Sequence, residues 1–175
     1  MAKRERRVIS LVGGGGKTTT MYALAEIFRE KGKKVIVTTS THLQTPPEEI
    51  RAWNIEEVRS LWKSDQIAVI GTDCESNKNL AAGDQAAVNQ MENKKSVKKM
   101  RMPDGSFLQE VLQEAEVVLI EADGAKHLPC KVPIEKEPVI IPECTDVIAV
   151  VGMDALGKPL EEVCFRKDLA VQFLN

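Results

Sequence analysis

Aromatic residues are scarce in this sequence: one Tyr, two Trp and four Phe, 4% of 175 residues. With so few rings, a core must be built from Val, Ile, Leu and Ala, a composition that suits parallel strands covered by helices. Long apolar runs are also missing. Nothing approaches the ~18 consecutive apolar residues of a membrane span, so no contact with a membrane is expected. Charge of one sign is lacking as well. A net charge of −2 and a pI near 5.8 argue against a chain built to grip nucleic acid. The four cysteines, Cys74, Cys130, Cys144 and Cys164, are scattered and contain no C-x-x-C pair. That spacing indicates neither a zinc knuckle nor a disulfide framework, and reduced thiols are expected. The basic start, Lys3 to Arg7, resembles the first part of a signal peptide, but the apolar stretch after it is too short and runs into glycines. A cytoplasmic location is therefore expected.

What the sequence does have is Ser10-Leu11-Val12-Gly13-Gly14-Gly15-Gly16-Lys17-Thr18-Thr19-Thr20. The short apolar run Val8–Val12 reads as a strand buried on both faces. The glycines let the backbone turn tightly and come close to a ligand. Helical spacing begins at Lys17. Backbone N–H groups at a helix start converge, and the helix dipole makes the spot electropositive. This is the pattern of a phosphate-binding loop. The backbone of Gly13, Gly14, Gly15 and Gly16, with Lys17, Thr18 and Thr19, is expected to hold the phosphates of ATP, with GTP as the alternative. Lys17 would neutralise their charge and the Thr18 hydroxyl would bind Mg²⁺.

The match departs from the standard spacing, which needs Gly where Leu11 stands. Gly13, Gly14, Gly16, Lys17 and Thr18 resemble the deviant loop of the MinD and nitrogenase-iron-protein type, although Val12 replaces its first lysine. Lys126 or Arg166 is the expected substitute. Gly13, Gly16, Lys17, Thr18 and Thr19 also resemble the Mur ligase loop, which keeps open a small-molecule kinase or ATP-dependent ligase. The first expectation is an NTPase that couples ATP or GTP hydrolysis to a partner, the kinase or ligase is the second, and a nucleotide-binding scaffold without turnover is a third class.

Along the chain, Met21, Leu24, Ala25 and Phe28 make one face of a helix over 17–31, widened by Ala23 and Ile27, with Gly32 just past its end. Val35–Thr39 follows as a strand, completing a parallel βαβ unit. Thr39, Thr41 and His42, at the edge where parallel sheets bind ligands, are candidate substrate contacts. Residues 48–63 are expected to form two short helices split at Asn54. Residues 66–71 read as a strand and 79–91 as a helix. The basic run Lys94, Lys95, Lys98, Lys99 and Arg101 has no interleaved aromatics and is expected to be a solvated face or loop. A helix is expected from Ser106 to Glu116, and helical structure from Leu160 to the end.

The second chemical centre is Val117-Val118-Leu119-Ile120-Glu121-Ala122-Asp123-Gly124. Four apolar residues read as a central strand with two carboxylates at its end. Residues two apart on a strand share a face, so Glu121 and Asp123 are expected to complete the Mg²⁺ site with Thr18 or to orient an attacking water. The proline-rich stretch after it reads as a stiff loop over the sheet, where Lys126 and Lys131 could meet an anionic substrate, as could Arg166 further on.

Taken together, these motifs resemble the YqeC family. The residues that carry the resemblance are the loop before Lys17-Thr18-Thr19, the strand end Val37–His42, Glu121–Lys126, Leu128–Pro133, Glu137–Ile140 and Val151–Pro159. Its members are described as accessory proteins of selenium-dependent hydroxylases. The resemblance implies a cytoplasmic maturation factor whose partner is a molybdenum hydroxylase or its cofactor machinery, with a homodimer left open. It also implies a longer chain than this one. The expected architecture is α/β: a three-layer α/β/α P-loop NTPase fold with a mainly parallel sheet. It would be one domain over residues 1–175, truncated at its C-terminal end.

Overall fold

The computed structural model describes residues 6–74 and 98–174. The apolar run before the glycines is strand β1 (Arg7–Gly13), and Val35–Thr39 is β2. Short strands β3 (His42–Gln44), β4 (Arg51–Ala52), β5 (Ala68–Ile70), β6 (Thr72–Asp73) and β7 (Lys99–Arg101) follow. The carboxylate strand is β8 (Val117–Glu121), and β9 (Cys130–Lys131), β10 (Asp146–Val150) and β11 (Cys164–Phe165) complete the set among the described residues.

The main sheet has six strands in the order β10-β1-β8-β2-β5-β4, and every ladder in it is parallel. β1 and β2 are parallel as expected but are not neighbours, because β8 is inserted between them. The carboxylate strand is thus central. Its C-terminal end, like those of β1, β2 and β10, opens onto one edge of the sheet.

Alternation along the strands sends side chains to opposite faces. Ile9, Leu11, Val37 and Leu119 pack with Met21 and Ala25 of helix α1 (Lys17–Glu30). On the other face, Val8, Ile36, Val118 and Ile120 join a cluster containing Val58 and Leu112. These residues come from helices α2 (Ile55–Lys63) and α3 (Gly105–Glu114). The fold is therefore α/β, with helices against both faces of a parallel sheet.

Several local expectations are corrected. Ala23 and Ile27 are exposed rather than part of the α1 face. Ile27 lies about 240° around the helix from Met21, away from the sheet. Of the two short helices expected over 48–63, the first is only a 3₁₀ turn (Glu48–Ile50) followed by β4, and the second is α2. Asn54 marks the boundary as its N-cap. Lys99 and Arg101 belong to a strand, not a loop. β7 pairs with β3 and β6 in a small antiparallel sheet, with Met100 buried between the two exposed cations. Lys94, Lys95 and the helix expected over 79–91 lie outside the described residues. The C-terminal stretch is not one helix. Arg166, at φ +68°, follows β11 and separates α4 (Leu160–Val163) from α5 (Lys167–Leu174). Residues 147–152, whose apolar run reads as another buried strand, instead supply β10 at one edge of the sheet, with Val147 exposed.

The Asn54 cap is reciprocal: its Oδ1 accepts from Glu57 N at 2.9 Å, while Glu57 accepts from Trp53 N at 2.7 Å. Asn54→Ala should therefore lower stability by about 1 kcal/mol, read as a shift in the urea midpoint at unchanged slope.

Candidate functional site

The turn between β1 and α1 is made by glycines in left-handed conformations: Gly13 at φ +100°, Gly15 at +62° and Gly16, the helix N-cap, at +87°. Gly14 needs glycine for a different reason. A Cβ there would lie 2.7 Å from Leu128 O and from Cys130 N. At Gly15 it would meet Gly152 Cα at 2.6 Å. The segment Leu128–Cys130 is thus packed directly on the turn, and Gly152 N donates to Pro129 O at 2.8 Å to hold it there.

The N–H groups at the start of the turn are engaged within the protein. Gly13 N donates to Asp123 Oδ2 at 3.1 Å, and Gly14 N donates to Val150 O at 2.9 Å. The first turn of α1, by contrast, begins at a residue with no side chain to cap it. Helix starts leave their leading N–H groups without intrahelical acceptors, and no side chain caps them here.

Lys17, Thr18, Glu121 and Asp123 are brought together as expected. The Thr18 hydroxyl donates to Glu121 Oε2 at 2.6 Å. Lys17 is buried; its Nζ donates to Gly13 O at 2.6 Å and lies 3.2 Å from Asp123 Oδ1. Asp123, 2% exposed, is also 3.0 Å from the Nζ of Lys131. Its Oδ1 sits at ion-pair distance from Lys17 but outside hydrogen-bond geometry, so a buried acceptor keeps a free lone pair. Thr19, one residue on, is exposed on α1.

The remaining candidates divide. Lys131 donates to Gly124 O at 2.7 Å and pairs with Glu137 Oε2 at 2.9 Å. Arg166 pairs with the same carboxylate oxygen at 2.5 Å and donates to Val132 O at 3.0 Å. Lys126, exposed, stands 4.9 Å from the Phe165 ring, which Arg166 faces from 4.7 Å. The Thr39 hydroxyl is used twice, donating to Glu121 O at 2.8 Å and accepting from Thr41 N at 3.0 Å. It ties β2 to the carboxylate strand. His42 is exposed on β3, opposite Arg101. Glu137 and Phe165 were not singled out from sequence. Glu137 stood only among the residues of the family resemblance, and the lysines around Pro129 and Pro133 were read as meeting an anionic substrate rather than a carboxylate of the chain itself.

Burial pushes the Glu121 carboxyl above its ordinary value, against the Thr18 hydrogen bond and the Lys17 charge, with Asp123 adding to the rise. Glu137 behaves oppositely. Burial pulls it upward, but hydrogen bonds from Lys131 and Arg166 win and hold it below the usual range. The Tyr22 phenol, on α1, is pushed up to about 12 by burial and the nearby Glu121.

Comparison with known proteins follows this geometry. A family model described as "YqeC protein" matches residues 9–168, which include both chemical centres. A curated Escherichia coli (strain K12) protein, named "Uncharacterized protein YqeC", is 31% identical over 174 aligned positions, spanning 89% of this chain and 56% of its own length. The chain thus spans a little over half the length of that relative. No solved structure matches. Among the described residues, no helix is long and apolar enough to cross a membrane.

Two predictions follow from the ion pairs. Asp123→Ala leaves Lys17 buried without a carboxylate and Lys131 with Glu137 alone, and should cost about 3–5 kcal/mol, measured by equilibrium denaturation. The two glutamates should give opposite pH dependences. Glu137 has a depressed folded pKa, so its stabilisation is present above the unfolded value of ~4.3 and is lost as pH falls below it. Glu121 has a raised folded pKa, so its favourable contribution exists at low pH and is lost as pH rises through that value. Glu137→Gln should therefore flatten the acid side of the stability–pH curve, and Glu121→Gln should raise stability near neutrality by about 1 kcal/mol.

Proposed function

We propose that this chain, which belongs to the YqeC family, binds ATP or GTP with Mg²⁺ at the turn between β1 and α1, in the manner of a P-loop NTPase. The observation that carries the reading is a juxtaposition. A glycine turn opens α1 at the C-terminal edge of a parallel sheet, and the adjacent strand β8 brings Glu121 within 2.6 Å of Thr18. Open α/β sheets bind ligands at that edge, and a helix N-terminus suits a phosphate.

The roles follow from charge and reach. The first turn of α1 presents N–H donors and the positive end of the helix dipole. Lys17, tied to Gly13 O and Asp123 without a ligand, would exchange the carbonyl for a phosphate oxygen. Mg²⁺ prefers oxygen ligands in octahedral geometry and keeps several waters. The donors present fit it: the Thr18 hydroxyl, the Glu121 carboxylate and the unfilled Asp123 Oδ1. Bound there, the ion would neutralise phosphate charge. Glu121 is also placed to orient a water if the nucleotide is hydrolysed. Lys126 and Arg166, gathered at Phe165, are candidates for a cation completing the site or meeting an anionic acceptor.

The wider role is assistance in maturing a molybdenum hydroxylase. It rests on the family resemblance and on whatever the longer relatives add. Nucleotide state would then be coupled to that partner through the loop Ala125–Pro138, which lies against the glycine turn.

Calorimetric titration of ATP and GTP, with and without Mg²⁺, tests the reading. Mg²⁺-dependent binding should weaken by roughly 100-fold, ~2.7 kcal/mol, in a folded Lys17→Ala variant. Glu121→Gln should keep nucleotide contact but lose most of the Mg²⁺ dependence. Failure of the folded protein, at the full length of its relatives, to bind either nucleotide would remove the proposal.

A further inference from the structure

We propose that Cys130 and Cys164 are a thiol–disulfide exchange site. A low-molecular-weight disulfide would convert them to an intramolecular disulfide that ties the segment over the glycine turn to the segment carrying Arg166. The inference does not depend on nucleotide binding.

Thirty-four residues separate the two cysteines in sequence, yet they are registered partners in the parallel ladder between β9 and β11, with Sγ atoms 3.9 Å apart. Neighbouring strands lie roughly 4.8 Å apart, inside the ~4.4–6.8 Å Cα separation of natural disulfides. Closing the S–S distance to ~2.05 Å therefore asks for side-chain rotation and a small adjustment of two-residue strands, not a refolded sheet. The four thiols are free, as expected, but topology joins two of them that sequence distance kept apart. The other two cysteines lack this arrangement. Cys144 hydrogen-bonds to Ser10 Oγ at 3.2 Å and Asp146 O at 3.1 Å, and Cys74 follows β6 on the separate antiparallel sheet.

Exposure sets the order of events. Cys130 is half-buried, whereas Cys164 is 4% exposed, so an incoming disulfide meets Cys130 first. The Cys130 thiolate attacks one sulfur, the external S–S bond breaks, and one thiolate leaves. Cys164, deprotonated, then attacks the Cys130 sulfur of the mixed disulfide and expels the second thiolate. The two protons released by the cysteines end on the two departing thiols. Two cysteine thiols are oxidised and one external disulfide is reduced. Burial raises the Cys164 thiol pKa, which lowers its thiolate fraction and slows the second step below alkaline pH.

The bridge would act on the candidate site because of where its ends sit. Cys130 N and Leu128 O are the atoms that a side chain at Gly14 would strike, and Cys164 is two residues from Arg166. A disulfide would hold both segments closed over the turn.

The test uses the full chain, reduced and then equilibrated in oxidised and reduced glutathione mixtures, alkylated, and mapped by fragmentation that separates Cys144 from Cys164. The expected product lacks two hydrogens, joins Cys130 to Cys164, and leaves Cys74 and Cys144 open to alkylation. In it, amide exchange over residues 128–132 should slow by about tenfold and recover on reduction. Cys164→Ser should stop at a stable glutathione adduct on Cys130, and Cys130→Ser should leave Cys164 unmodified. A wild-type chain that halts at the Cys130 adduct, or bridges to Cys74 or Cys144, overturns the site. A Cys130–Cys164 bridge that leaves exchange over 128–132 unchanged overturns the tethering.

Discussion

The buried carboxylate of Asp123 holds this end of the molecule together. It accepts from the backbone of the glycine turn, faces the amine that opens α1, and pairs with Lys131 of the loop above. An isolated charge in such a place would be expensive; surrounded by two ammonium groups and a peptide N–H it becomes a junction. Three stretches distant in sequence are thereby fixed relative to one another: the turn after β1, the end of β8 and the proline-rich loop. Glu137 repeats the arrangement one step outward, between Lys131 and Arg166. Charge alternates through the cluster, cation to anion to cation, so each buried group is answered by its neighbour.

Much of this was readable from residues whose chemistry is local. Glycines beside a lysine, an apolar strand ending in two acids and a helix with one apolar face all report their surroundings within a few positions. β1, α1 and β8 were recovered nearly to their ends for that reason, and so was the meeting of Thr18 with Glu121. What failed depended on pairing at a distance. Lys99–Arg101 read as a solvated face or loop; its cations are exposed, but its pairing was not legible because alternation over three residues is too short to register, and its partners lie in β3 and β6. The placement of β8 between β1 and β2 leaves no trace in either strand. Glu137 and Phe165 gained their importance only from cations brought in by the fold. Thr39 was legible as a hydroxyl at the right edge, but the hydrogen bonds it makes to backbone could not be seen in the sequence.

The glycine turn also shows two separate reasons for one residue type. Gly16 has open space where a Cβ would be, and its left-handed backbone is what favours glycine. Gly14 has no positive φ, and its constraint is the packed carbonyl and amide of the loop above it. A sequence reader sees four equal letters. The structure separates a conformational demand at one end from a steric one in the middle, and the steric one records that a second layer of chain lies on the turn.

β1 is flanked in the sheet by strands made long after it. β1 lies between β8 and β10, and Val8 is held by Thr145, 137 residues further on. On the ribosome, at roughly 5–20 residues per second, the glycine turn emerges early and waits on the order of ten seconds for its neighbours. Throughout that interval an apolar strand with two unpaired edges precedes a helix that can already form. The cell must keep this strand from pairing elsewhere, so for this fold the hazard of misassembly is concentrated during synthesis, before the mature sheet exists.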